Sequence, residues 1–218
     1  MTMKCNVKTG FFMSFMLVCA LAQPAFSQTL KEFFNSSETP AMYLGIDFTK
    51  ARLIDDATAN QMDIRDRLFA SINDLVVNEP KKFDLNKVFH KTNVDHDLGL
   101  VAKRNLKVDA EQIKSTNTGD FHRLKEEDIT ALVKGFDFAD KKGVGILFVM
   151  EAMSKSAKAA AIWVTFVDIK SKKVLLTERI ESKTGMAIGF RNYWASAIKN
   201  LLDTIEDKKY SEWKSKYQ

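Results

Sequence analysis

The chain has 218 residues, 45% of them hydrophobic and 28% charged, and its 33 basic and 28 acidic side chains leave a formal charge of +5. A chain of this length can bury a core that is stable unaided, and a small basic excess interspersed with acids does not call for a nucleic-acid partner. Both cysteines, Cys5 and Cys19, lie near the N-terminus; the remainder therefore excludes a disulfide framework, a thiolate metal site and a cysteine nucleophile.

Residues 1–27 have the pattern of a secretory leader. Lys4 and Lys8 supply a positive start, and the apolar run from Phe11 to Ala22 is short for a bilayer span. Pro24 breaks the run, and Ala25 and Ser27 flank Phe26 with small residues suited to cleavage before Gln28. Loss of Lys4 and Lys8 lowers the net charge by two, from +5 to +3. Two other readings attach to this segment, an uncleaved anchor and acylation at Cys19. Against the second, Val18 stands where the lipoprotein pattern has Gly, Ala or Ser.

Beyond the leader, Met42, Leu44, Ile46 and Phe48 alternate after Pro40, which predicts a strand with these four on one face. Thr58 and Gln61 have the spacing of a capping box, and Ile64, Leu68, Ile72, Leu75 and Val76 continue at helical spacing until Pro80. The segment Phe83–Asn93 is expected to be a short strand with Leu85 and Phe89 inward. A short helix is expected next, capped by Asp95, with Leu98, Val101 and Ala102 inward. Asp109 offers a further cap, residues 115–120 form the clearest loop, and Ile129, Leu132, Val133 and Phe136 mark a helix face.

From Gly143 the pattern turns to strands. The apolar run around Ile146–Met150 fits a strand buried on both faces. Two more strands follow, joined by a tight hairpin at Lys170–Lys172. Phe190, Trp194, Ala197, Ile198, Leu201 and Ile205 then recur on one helical stripe. The polar tail 207–218 carries Tyr210, Trp213 and Tyr217 at helical spacing, as a docked short helix would. The order predicts an α/β chain with α+β character: a single mixed sheet with a C-terminal antiparallel hairpin, covered by helices, over residues 28–206.

Topologically, residues 41–206 resemble the envelope family of the curli-secretion lipoprotein, the penicillin-binding-protein activators and the N-terminal domain of TolB. Val167-Asp168 matches the valine-aspartate of that family's hairpin, whereas Ser171-Lys172 replaces its threonine-glycine. The stretch from Gly189 to Trp194 resembles small secreted proteins of Bacteroides-type bacteria. These resemblances imply an envelope-facing interaction module and transfer no catalytic residue.

Motifs for chemistry are scarce. His90, Asp95, His96 and Asp97 lie close in sequence, but they lack the spacing of a metal site, and His122 stands alone. Gly143 and Gly145 precede a strand, so no helix N-terminus is there to hold a phosphate. Glu126, Glu127 and Asp128 suit the positive end of a helix dipole. The remaining candidates are Arg191, Asn192 and Tyr193. They lie off the apolar stripe in a first helical turn, where an anion or a partner carboxylate would be held. The expectation is an exported, periplasmic or secreted, non-catalytic envelope module with a protein partner. No cofactor, metal, nucleic acid or further membrane span is expected. A small-ligand binder using Arg191 is the alternative, and a hydrolase the least favoured reading.

Overall fold

A computed structural model describes residues 23–217 of the chain. Its elements run α1 (Gln23–Asn35), β1 (Ala41–Asp47), β2 (Arg52–Ile54), α2 (Gln61–Asp63), α3 (Phe69–Asn78), α4 (Leu85–Val88), β3 (Val94–His96), α5 (Gly99–Asn105), β4 (Lys114–Ser115) and α6 (Glu126–Lys134). They continue with β5 (Val144–Ser154), β6 (Ala159–Asp168), β7 (Lys173–Lys183), α7 (Phe190–Thr204) and α8 (Tyr210–Lys216). The expected leader lies outside the described residues up to position 22.

The strands form one mixed sheet centred on β5. On one side β1 and then β2 run parallel to it, in register Ala41↔Val144 to Asp47↔Val149 and Arg52↔Ala152 to Ile54↔Ser154. β3 lies outside β1 and β4 outside β2, both parallel. On the other side β6 and β7 add antiparallel. The α/β architecture with a C-terminal antiparallel hairpin is therefore as the order of elements predicts. At that hairpin the Ser171 amide donates to Asp168 Oδ1 at 2.8 Å, and Lys172 takes up a positive φ of 56°, a conformation that glycine adopts more readily.

β5 is buried along its whole length, because helices cover both faces. Ile146, Phe148 and Met150 enter the larger core, with Phe33 and Phe34 of α1, Phe69 and Ile72 of α3, and Trp194 and Ile198 of α7. Leu147 and Val149 enter the smaller one, with Val101 of α5 and Ile129, Leu132 and Val133 of α6. The C-terminal segment joins the larger core: Trp213 is fully buried, its indole N–H donates to Glu178, and Tyr210 bonds the Phe34 carbonyl.

β1 departs from simple alternation. Its pairing with β5 slips between Tyr43 and Gly45, so Leu44 faces the smaller core while Ile46 and Phe48 face the larger. The four residues expected on one face are thus split by a bulge. Gly45 has φ +93°, and a Cβ there would lie 2.7 Å from Val101 and 2.9 Å from Asn73. Two buried asparagines bind the backbone beyond the bulge. Asn73 accepts from the Ile46 amide at 2.7 Å, Asn105 accepts from the Phe48 amide at 2.8 Å, and both donate to the Ile46 carbonyl. Replacing Asn73 with alanine strands a buried N–H, which typically costs about 1–3 kcal/mol; urea denaturation of Asn73→Ala is expected to read a loss in that range.

Three local expectations are corrected. Asn60, not Thr58, caps the helix that begins at Gln61: its Oδ1 accepts from the Met62 and Asp63 amides, whereas Thr58 donates to Asp56. The segment Phe83–Asn93 forms the single-turn helix α4, not a strand. Asp84 caps it, and Leu85, Val88 and Phe89 are all buried at helical spacing, a pattern stronger than the alternation of Leu85 and Phe89. Asp95 belongs to β3, opposite Met42, and it is Asp97 whose carboxylate accepts from the Gly99 amide at the start of α5.

Candidate functional site

The turn from β7 into α7 is built on two glycines. The Gly185 amide donates to Ser196 Oγ at 2.7 Å, and that hydroxyl donates to the Tyr193 carbonyl at 2.5 Å, which ties the loop to the helix. Gly189 opens α7 with φ +81° and provides no side-chain cap. Phe190 and Trp194 meet edge to face at 6.2 Å, and Trp194 is fully buried, as its place on the stripe predicts.

The three predicted site residues are neighbours in sequence but do not converge. Arg191 and Asn192 are exposed and border an open recess of about 350 Å³ that also involves Asp63 and Arg67. Arg191 Nε donates to Asn192 Oδ1 at 3.1 Å. Asp63 is already taken by Arg67, at 2.7 Å. Tyr193 lies over another recess, with its ring edge on Trp194 at 5.0 Å and Lys155 Nζ 4.0 Å from its centroid. The carboxylate expected opposite Arg191 is not among the ion pairs of the described residues.

What periodicity missed lies in the same loop. Met186 and Ile188 are almost wholly exposed, at 106% and 93%. Their visible signal is two large apolar residues between glycines, off both the strand alternation and the helical stripe. The neighbouring Lys155–Lys158 turn is held against the loop, since Thr184 donates to the Lys158 carbonyl through both its amide and its hydroxyl. Lys158 and Met186 line one recess of about 700 Å³.

Elsewhere the buried charges have internal partners. Glu151 accepts from Arg179 Nε at 2.7 Å, the Leu124 amide at 2.6 Å and Trp163 Nε1 at 3.1 Å. Asp47 accepts from Arg104 at 2.7 Å and from Thr49. Neither carboxylate is exposed, and sequence spacing concealed both, because their partners lie far along the chain. His122 is not isolated: its Nδ1 lies 3.7 Å from Glu181. His90 stacks on Tyr210 at 4.1 Å, and among the described residues no group of three or more His, Cys, Asp or Glu is placed to hold a metal ion.

Lys91 is the one buried lysine among the described residues. Its ammonium donates to the carbonyls of Ser36, at 2.6 Å, and Phe33, closing the C-terminal end of α1. Burial, with the like charge of Lys214 added, pulls its pKa down to about 8. An unfolded lysine titrates near ~10.4. Between about pH 8 and about 10.4 the unfolded chain therefore binds more protons, and this group's contribution to stability rises with pH. Relative to Lys91→Met, the wild type is expected to gain stability across that window in denaturation midpoints; a flat difference would contradict it.

No protein-family model, no curated protein and no solved structure matches the chain. The functional reading rests on its own residues.

Proposed function

We propose that the protein is an exported, non-catalytic interaction module of the cell envelope that docks a protein partner by strand addition to β7. The observation that carries this is the edge itself. β7 is 11 residues long and pairs with β6 along one side, and among the described residues no backbone bond covers its other side. The opposite edge is divided between β3 and β4, of three and two residues. Long edges are ordinarily blunted by bulges, prolines or free charges, because unpaired amides and carbonyls template a further strand. β7 has no proline, its one bulge, at Leu175, lies near its start and leaves Leu176 to Lys183 in regular register, and its central charges are engaged: Glu178 with Lys209 and Trp213, Arg179 with Glu151 and Glu181. An extended peptide would gain main-chain hydrogen bonds there without displacing them.

The non-catalytic reading rests on the buried carboxylates, whose lone pairs are engaged by internal donors. The small-ligand reading is weaker, because Arg191 and Tyr193 face different recesses. Export is read from the leader-like sequence pattern of residues 1–27, and no helix among the described residues is long and apolar enough to cross a membrane. Photo-crosslinking in the producing cells tests the proposal, with the reactive residue at Leu175 on β7 and, as control, at exposed Lys81. One discrete protein adduct at position 175 and none at 81 is expected. No adduct at 175, or the same adducts at both, would sink the strand-addition reading.

A further inference from the structure

We infer that the loop from Thr184 to Gly189 is a contact for an anionic lipid surface, independent of the β7 edge. Two observations meet at this loop. Its tip presents Met186 and Ile188 to solvent almost without cover, on a segment bounded by glycines; a Cβ built at Gly189 meets nothing within 4 Å. Around the tip stands a set of cations: Lys158 lines the recess with Met186 and Ile188, Lys155 the one with Ala187, and Arg191 the one with Ile188. Lys183 ends the strand that leads into the loop, and its Nζ lies 3.5 Å from the Ala157 carbonyl.

Few acids offset these charges. Lys155 reaches Asp56 only at 3.8 Å, and Lys158, Lys183 and Arg191 have no acidic partner among the ion pairs of the described residues. Elsewhere some basic residues are paired, as Arg67 is with Asp63, Lys87 with Glu206 and Lys209 with Glu178, while others such as exposed Lys81 and Lys142 are not among the ion pairs of the described residues; what sets these four apart is their placement around one exposed apolar tip. An exposed apolar tip ringed by cations, three of the four without an acidic partner, matches the layering of a bilayer surface. The apolar side chains enter at the headgroup–acyl boundary while lysine and arginine stay among the phosphates. A protein groove would also accept the apolar tip, but it would not by itself call for cations on several sides of it.

The test places the reporter in the loop. Ile188→Trp in the full chain adds one exposed indole to three that are buried. Vesicles of phosphatidylglycerol carrying brominated acyl chains should quench the added fluorescence, and high salt should restore it. Vesicles of phosphatidylcholine with the same chains should quench it far less. Each basic residue against an anionic leaflet is worth about fivefold in affinity, so adding Lys158→Gln and Lys183→Gln should weaken the quenching titration about 25-fold without changing the melting temperature. Quenching that is absent, equal on both lipids, or unaffected by the lysine changes overturns the lipid assignment. A photo-crosslinker at Met186 that captures one discrete protein, with no vesicle quenching, would assign the tip to a protein partner instead.

Discussion

Trp194→Ala is expected to destabilise the fold by about 3–5 kcal/mol, the range for truncating a fully buried tryptophan, whereas Arg191→Ala should stay within about 0.5 kcal/mol of wild type. The two residues are one turn apart on α7 and test whether the start of this helix is architecture or contact surface. Trp194 is fully buried in the larger core with Ala197, Ile198 and Leu201, and it meets Phe190 and Tyr193 edge to face. Arg191 is exposed, and among the described residues its guanidinium bonds its neighbour Asn192 alone. In a chain of this size 1 kcal/mol moves the melting temperature by roughly 2–4 °C, so the tryptophan variant should melt roughly 6–20 °C lower. The Trp194 N–H has no acceptor among the described residues. Trp194→Phe therefore sacrifices no hydrogen bond and should lose much less than the alanine variant. Thermal melts of the three variants decide the matter. An arginine variant as unstable as Trp194→Ala would place Arg191 in a structural pair, and a tryptophan variant that melts like wild type would refute the packing described for α7.

How far the sequence disclosed this molecule depends on the length and regularity of each element. β5 to β7 and α7 were legible because each repeats its period over ten or more residues, and one misplaced residue does not disturb the pattern. The region from Phe83 to Asn105 was not, because its elements are three to seven residues long. There a cap decides the outcome, and Asp84 or Asp97 reads no differently from its acidic neighbours until its backbone partner is known. The bulge at Gly45 was hidden for a related reason. Alternation presumes an unbroken period of two, and only the approach of Val101 and Asn73 reveals why this position must be glycine. The site was legible in part. The segment from Gly185 to Trp194 stood out in the sequence, but its helical phase drew attention to Arg191 and Tyr193. The two most exposed large apolar side chains among the described residues, Met186 and Ile188, belong to no period at all.

Glu151→Ala is expected to cost about as much as the tryptophan truncation, for a different reason. Glu151 sits where the pairing of β5 with β6 slips, between Met150 and Ala152, in a strand whose only other buried polar side chain is Ser154 at its end. Its carboxylate is fully buried and gathers three donors from distant segments: Arg179 of β7, Trp163 of β6 and the Leu124 amide before α6. Burial alone would lower the pKa of Arg179; its bonds to Glu181 and Glu151 hold it above the ordinary value. Removing the carboxylate leaves a largely buried guanidinium short of one partner and two further donors without an acceptor. Breaking such a pair from one side typically costs about 3–5 kcal/mol. Replacing both partners is a different matter, since well-packed apolar residues of similar volume are often neutral. The double variant Glu151→Met with Arg179→Met should therefore lose clearly less than the sum of the two single variants. Guanidinium denaturation of the four proteins measures the coupling directly. Strict additivity would mean that Glu151 and Arg179 contribute independently, and that the charge within β5 has a role other than joining β7 to the segment before α6.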